Sequence, residues 1–178
     1  MTLLPMPATT ATWGQQSYVV LSSAPASLTA ITAAELTAGE NVSCYLYGDW
    51  FPTADTEGVA RARKACQTQV TQAKGNTTWQ TPPLSYSANP QTIDTPGSAG
   101  NEAYEVFVPD STVYVVKFIG VPGREAPGAT DAYQVLPLEL GPRVWAPSQD
   151  DAGGEASINQ AAFFAPGFSA PVDGVIAA

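Results

Sequence analysis

The side chains able to do chemistry in this chain are mostly carboxylates. Its 178 residues carry 16 Asp and Glu against 7 Lys and Arg, a net charge of -9, and no histidine. Without histidine there is no Ser-His-Asp or Cys-His arrangement, and the commonest acid/base at neutral pH is missing. Asp150 and Asp151 form an adjacent carboxylate pair, but neighbouring acids in a Gly-rich stretch are ordinarily solvated, and their spacing alone assigns no glycosidase role. The same stretch, residues 149–155, lacks the one-three-five oxygen ligands of a calcium loop. Cys44 and Cys66 are the only cysteines, half the ligand count of a structural zinc site. Neither GxxxxGK(S/T) nor GxGxxG after a strand occurs. No catalytic residue, metal ligand or cofactor is therefore expected.

The charges that stand out are sorted along one segment. Residues 48–64 mix Gly, Pro, Asp and Thr around Trp50 and Phe51, too long a run for a hairpin turn, and read as a projecting arm. Asp49, Asp55 and Glu57 lie on its outgoing half, and Arg61, Arg63 and Lys64 on its return. A basic cluster invites a nucleic-acid reading, yet a chain this acidic repels phosphate over most of its surface. Charges that simply satisfy one another in a solvated loop are one reading. The other is head-to-tail contact, with the acidic half of one copy meeting the basic half of the next. A heterologous contact that does not close propagates as a filament or stack.

The elements that must hold this arm are short strands. With 15 Gly, 16 Pro and 13% charged residues, the chain is turn-rich, and its many short segments suggest one all-β sandwich or barrel domain. Its 44% hydrophobic content and mean hydropathy near zero indicate a soluble globular protein. No apolar run of eighteen residues and no leader are apparent, so a cytoplasmic origin is expected. Thr32 and Glu35 form a capping-box pattern before a short helical turn that Gly39 ends, and residues 42–47 read as a strand leading into the arm. The cysteines at the feet of the arm are expected to be small buried thiols, a bridge between them being the alternative.

Residues 66–73 and 77–81 read as a hairpin turning at Lys74-Gly75-Asn76, with Gln67, Gln69 and Thr71 on an uncharged polar face. Residues 84–87 form an offset or edge strand after Pro82 and Pro83. One helix is expected from Thr95-Pro96 to Pro109, with Ala99, Ala103, Val106 and Phe107 along its apolar stripe. Residues 113–119, apolar almost throughout, require cover on both faces. Residues 132–140 form a strand ended by Gly141-Pro142, and residues 155–164 and 168–176 are closing strands joined as a hairpin at residues 165–167. Residues 1–30 are low in charge and contain one strand, residues 18–21. They are expected to be an N-terminal extension to a domain at residues 31–178, with Trp13 and Tyr18 as docking anchors if it lies on a neighbour.

Order and spacing of several motifs resemble the major tail tube proteins of long-tailed bacteriophages with non-contractile tails, especially those of actinobacteria. The run LTAGENVSCYLYGDWFPTADTEGVARARKACQTQV is similar to a short turn, an "(I/V)SCYL"-like strand, a variable arm and an "R(L/K)xC" segment; LSYSANPQ, GNEAYEVF, STVYVVKF and DAYQVLPLELG follow in order. The resemblance spans roughly residues 35–176. It implies a β-sandwich with a flanking helix, assembled as stacked hexameric rings whose sheets join into one barrel around the DNA channel. It also implies a virion protein made in the host cytoplasm, with the tape measure, tail terminator and distal tail proteins as partners and no membrane role.

Such a wall must not hold DNA, because each Lys or Arg contact releases counterions and gains affinity. Gln67, Gln69, Thr71, Gln80, Ser157, Asn159 and Asp173 are therefore expected to include lumen-facing positions. The arm residues Asp49, Trp50, Phe51, Asp55, Glu57, Arg61, Arg63 and Lys64 are expected at ring contacts. Two alternatives remain: a monomeric carbohydrate- or receptor-binding sandwich that stacks ligand on Trp50, Phe51 and Trp145, or a terminator or neck ring that never stacks.

Overall fold

A computed structural model describes residues 14–48, 50–66, 68–69, 71–147 and 156–177. The fold is mainly β, one antiparallel sheet curled into a half-barrel. The strands are β1 (Gln16–Leu21), β2 (Glu40–Asn41), β3 (Thr53–Ala60), β4 (Gln72–Gln80), β5 (Leu84–Ser87), β6 (Thr112–Ile119), β7 (Ala132–Pro147), β8 (Ala156–Phe164) and β9 (Val172–Val175). Two five-residue helices accompany them, α1 (Ala33–Thr37) and α2 (Glu102–Val106). The main sheet runs β2-β1-β6-β7-β8-β5, with β9 on β7, while β3 and β4 form a separate two-stranded sheet.

β6 shows why the centre holds. Val113 and Val115 point to one face and Val116 and Phe118 to the other, all buried, as the unbroken apolar run predicts. The first face gathers Tyr18, Val20, Leu84, Tyr86, Phe107, Leu136, Leu138 and Ile158; the second gathers Val19, Leu21, Ile31, Leu36, Tyr133, Val135 and Ile176. Each such apolar side chain contributes about 1.5–3 kcal/mol on burial. β1 lies between β2 and β6, so the expected extension over residues 1–30 supplies a core strand; Trp13 lies outside the described residues. The Thr32 cap forms as expected: its Oγ1 accepts from Glu35 N while Glu35 Oε2 accepts from Thr32 N. Hydrogen bonds from the Ala26 and Thr32 backbone and from the Thr32 hydroxyl hold the Glu35 carboxyl below its ordinary value.

Several expectations need correction. Residues 42–47 turn instead of running as a strand: Asn41 Oδ1 accepts from Ser43 N, and Val42 O accepts from Tyr45 N and Leu46 N. This Asx turn carries Cys44 outward, and both cysteines are free and exposed, not buried thiols. The helix expected from Thr95 is only α2, because Gly97 and Gly100 take left-handed φ values of 74° and 97°. Glu105 and Glu102 accept from those two glycine N–H groups, so helix carboxylates fasten the turns before it.

Gly141-Pro142 does not end β7, which passes through with a register shift between Leu140 and Arg143, where a bulge tolerates proline. β8 and β9 form no hairpin with each other. Both pair with β7, β8 along residues 138–147 and β9 along residues 132–135. Asp150 and Asp151 lie outside the described residues.

Candidate assembly surfaces

The expected arm is a β-hairpin. β3 pairs antiparallel with β4 from Thr53↔Gln80 to Ala60↔Gln72, with a bulge between Thr56 and Gly58. Every residue of β3 is exposed, and the two strands pack on each other and on little else. At about 3.4 Å per residue an eight-residue strand reaches about 27 Å. The reversal therefore falls within residues 61–71, and Lys74-Gly75-Asn76 lies inside β4. The bulge explains that glycine: a Cβ on Gly75 would meet Glu57 O and Val59 Cγ2, both at 2.8 Å.

Asp55 and Glu57 lie on β3, while Arg61, Arg63 and Lys64 are exposed at the far end rather than on a return strand. Asp49 lies outside the described residues. Residues 53–80 hold four basic and two acidic side chains, whereas the rest of the chain holds three basic and fourteen acidic. A cationic arm thus projects from a strongly acidic body.

Trp50 and Phe51 are not displayed. Trp50 is 5% exposed within the first core cluster, and its Nε1 donates to Pro82 O at 2.7 Å. Residue 50 precedes β3 and residue 82 follows β4, so the indole ties together the two feet of the arm. Tyr18 Oη donates to Trp50 O, and Phe51 lies over the Lys117 ammonium at 4.5 Å, with the Tyr18 ring at 5.4 Å. The Gly-Pro-Asp-Thr composition hid this clasp, and nothing in the sequence links Trp50 to Pro82, 32 residues on.

The proposed lumen residues do not share one surface. Gln69 and Thr71 are exposed in the arm's tip connection, and Gln80 is exposed at its base. Gln67 lies outside the described residues. Asn159 is exposed beside Ser85 and Val144, its partners on β5 and β7. Ser157 shares that face but is buried, donating its hydroxyl to Ala146 O at 2.7 Å. Asp173 is exposed on β9, accepts from Gln134 Nε2 at 2.7 Å, and lies on the opposite face from Val135 and Tyr133.

The second face of the sheet is covered only in part. Over β1, β6 and the first half of β7 it carries the second core cluster. Over β5, β8 and the second half of β7 it presents Ser85, Ser87, Asn159, Ala161, Phe163, Glu139 and Val144, with Phe163 61% and Val144 60% exposed. None of these is basic.

Residues 141–147 also overrun β6, whose pairing with β7 ends at Glu139, and among the described residues they have a strand partner only in β8. Val144 and Trp145, the latter 46% exposed, stand on opposite faces of this overhang. Arg143 fastens α2 to it: the guanidinium lies 3.8 Å from the Tyr104 ring and donates to Tyr104 O and Phe107 O. By contrast, β5 is bordered by residues 45–47 through Tyr47 N to Ser85 O and Ser87 N to Tyr45 O. Residues 29–31 likewise accept from Val175 N and Ala177 N beside β9.

A family model described as phage tail tube protein matches residues 5–176. The chain belongs to the phage tail tube protein family. It is a structural component of the virion tail, a subunit of a self-assembling tube, and no curated protein or solved structure matches it significantly. In this tail tube protein, the projecting hairpin, the overhang and the half-face are the surfaces that the described part of the subunit leaves uncovered. Among the described residues no Cys, Asp and Glu cluster is suited to a metal, and no helix is long and apolar enough to cross a membrane.

Proposed function

We propose that this tail tube protein assembles as hexameric rings that stack into the tail of a long-tailed, non-contractile phage, and that the bore carries the genome into the host. The observation that carries the reading is the β7 overhang. A strand end whose one edge has no partner among the described residues is an aggregation liability unless another chain pairs with it. A ring of subunits joined sheet to sheet supplies that chain at every position. The half-face bearing Ser85, Ser87, Asn159 and Glu139 suits the wall of the bore, because a surface without Lys or Arg gives phosphate nothing to hold.

The arm, with Arg61, Arg63 and Lys64 at its tip, then reaches the acidic body of a subunit in the adjoining ring. Charge of this kind chiefly speeds and orients the encounter. Assembly in the host cytoplasm around a tape measure protein, between a terminator and a distal tail protein, completes the proposal. A stacking-competent arm argues against a terminator that forms single rings. The burial of Trp50 removes one of three platforms from a carbohydrate-binding reading, and Phe51 is occupied with Lys117.

Electron microscopy of purified protein tests the proposal: six-fold rings and tubes are expected, and solitary particles at every concentration would refute it. In an assembled tube, the Asn159→Lys variant should still polymerise but yield phage that deliver DNA more slowly. Unchanged delivery would remove Asn159 from the wall.

A further inference from the structure

The bulge in the arm decides which charges share a face. Between the Thr56↔Thr77 and Gly58↔Lys74 pairs, β3 has one residue and β4 has two, so the extra residue lies in β4. One face therefore carries Lys74 and Trp79 beside Thr56 and Thr77, whose hydroxyls join at 3.0 Å. The other carries Asp55 and Glu57 with Val59 and Ala73, and Val59 lies against Gly75. Both carboxylates of the arm thus stand on one face, and the cation borne by its strands stands on the opposite one. All three groups are exposed. A two-stranded hairpin is marginal by itself in water, and these two strands pack mainly on each other.

We propose that the Lys74 and Trp79 face seats on the acidic body of a second copy, while the Asp55 and Glu57 face turns away from it. The inference rests on the reading of the arm as a contact between copies and says which side makes it. Charge complementarity names the occupant. Residues 53–80 hold four basic and two acidic side chains, and the rest of the chain holds three basic and fourteen acidic. Against such a body the carboxylate face meets like charge, which opposes docking, whereas the Lys74 face meets opposite charge. The half-buried Trp79 adds apolar area on the same side.

Size sets a limit on what the face can do. A strip about 27 Å long and about 10 Å wide covers about 270 Å², well under the ~800 Å² per partner of a stable pairwise interface. It therefore acts together with the other contacts each subunit makes in a tube, and weakening it shifts the concentration at which polymer forms.

Charge reversals on the two faces of the full-length protein give opposed tests. Lys74→Glu should raise the concentration needed for polymer about threefold or more, since it exchanges an exposed attraction for a repulsion. Glu57→Lys should leave that concentration unchanged or lower it; a rise equal to that of Lys74→Glu would overturn the proposal. In 1 M salt, where charges more than about 3 Å apart are screened, the gap between the two variants should close. A gap that persists would overturn charge as the basis for the choice of face. Thermal melts of both monomers, expected to match the parent, separate an assembly defect from a folding one. A photo-cross-linker at residue 77 should trap a second copy, and one at residue 78 should not; the reverse pattern would overturn the assignment of faces. Deleting residues 53–80 separates the underlying reading: a deletion that still forms tubes refutes the arm as a contact, whereas one that fails while the two reversals behave alike refutes only the choice of face.

Discussion

The main sheet and the arm are built from the same kind of strand and held by opposite means. β6 buries side chains on both faces and has a strand on each side, whereas β3 buries none and among the described residues pairs only with β4. Backbone pairing is common to both, so it is not what makes the centre stable. Side-chain burial is the difference, and the arm lacks it. The interior and the projecting part are thus stabilised separately, joined where Trp50 spans the arm's feet.

The contrast breaks most directly at that junction. Trp50→Ala should cost about 3–5 kcal/mol of subunit stability, the usual loss for a large buried aromatic, measured by denaturant unfolding. A cost below 1 kcal/mol would mean that the indole is not a core group. Next comes pH. Burial pushes the Tyr86 phenol up to about 12, and its Oη donates to Gln160 Oε1. Because the folded value lies above the unfolded one near 10, its contribution is complete below pH 10 and is lost as pH rises towards 12. The loss is on the order of 2 kcal/mol, and Tyr86→Phe should flatten that part of the stability profile.

A smaller effect belongs to α1. Thr32→Ala removes the cap and should cost roughly 1 kcal/mol in the same unfolding measurement. Acidification gives a related signal: since the Glu35 carboxyl is held low, its contribution is present above the ordinary glutamate range and lost as pH falls through the folded value. The smallest change is expected on the arm itself, where Thr78 is exposed and Thr78→Ala should move stability by no more than about 0.5 kcal/mol. A large shift there would erase the distinction between the two regions.

The sequence was most legible where local pattern and burial agree. The run at residues 113–119 demanded cover on both faces and received it, and the Thr32-Glu35 spacing produced its reciprocal cap. It was least legible where one residue type serves two ends. Gly75 looked like a turn and instead clears space at a bulge; Gly141-Pro142 looked like a stop and is a bulge within a longer strand. Val42 favoured a strand, but Asn41 and Ser43 closed a turn first. Among candidate surfaces, an arm at residues 48–64 was expected from length and composition, but its second strand, residues 72–80, was read as part of a separate hairpin. The clasp was not readable, because Trp50 and Pro82 lie 32 residues apart and no local pattern joins them.

The hairpin's alternation has one consequence for how such an appendage can change in length. Two residues added to each strand would lengthen its span by about 7 Å and return every side chain to the side it held before. One residue added to each would exchange the two faces beyond the insertion. An appendage of this kind can therefore change its reach without changing its faces only in even steps.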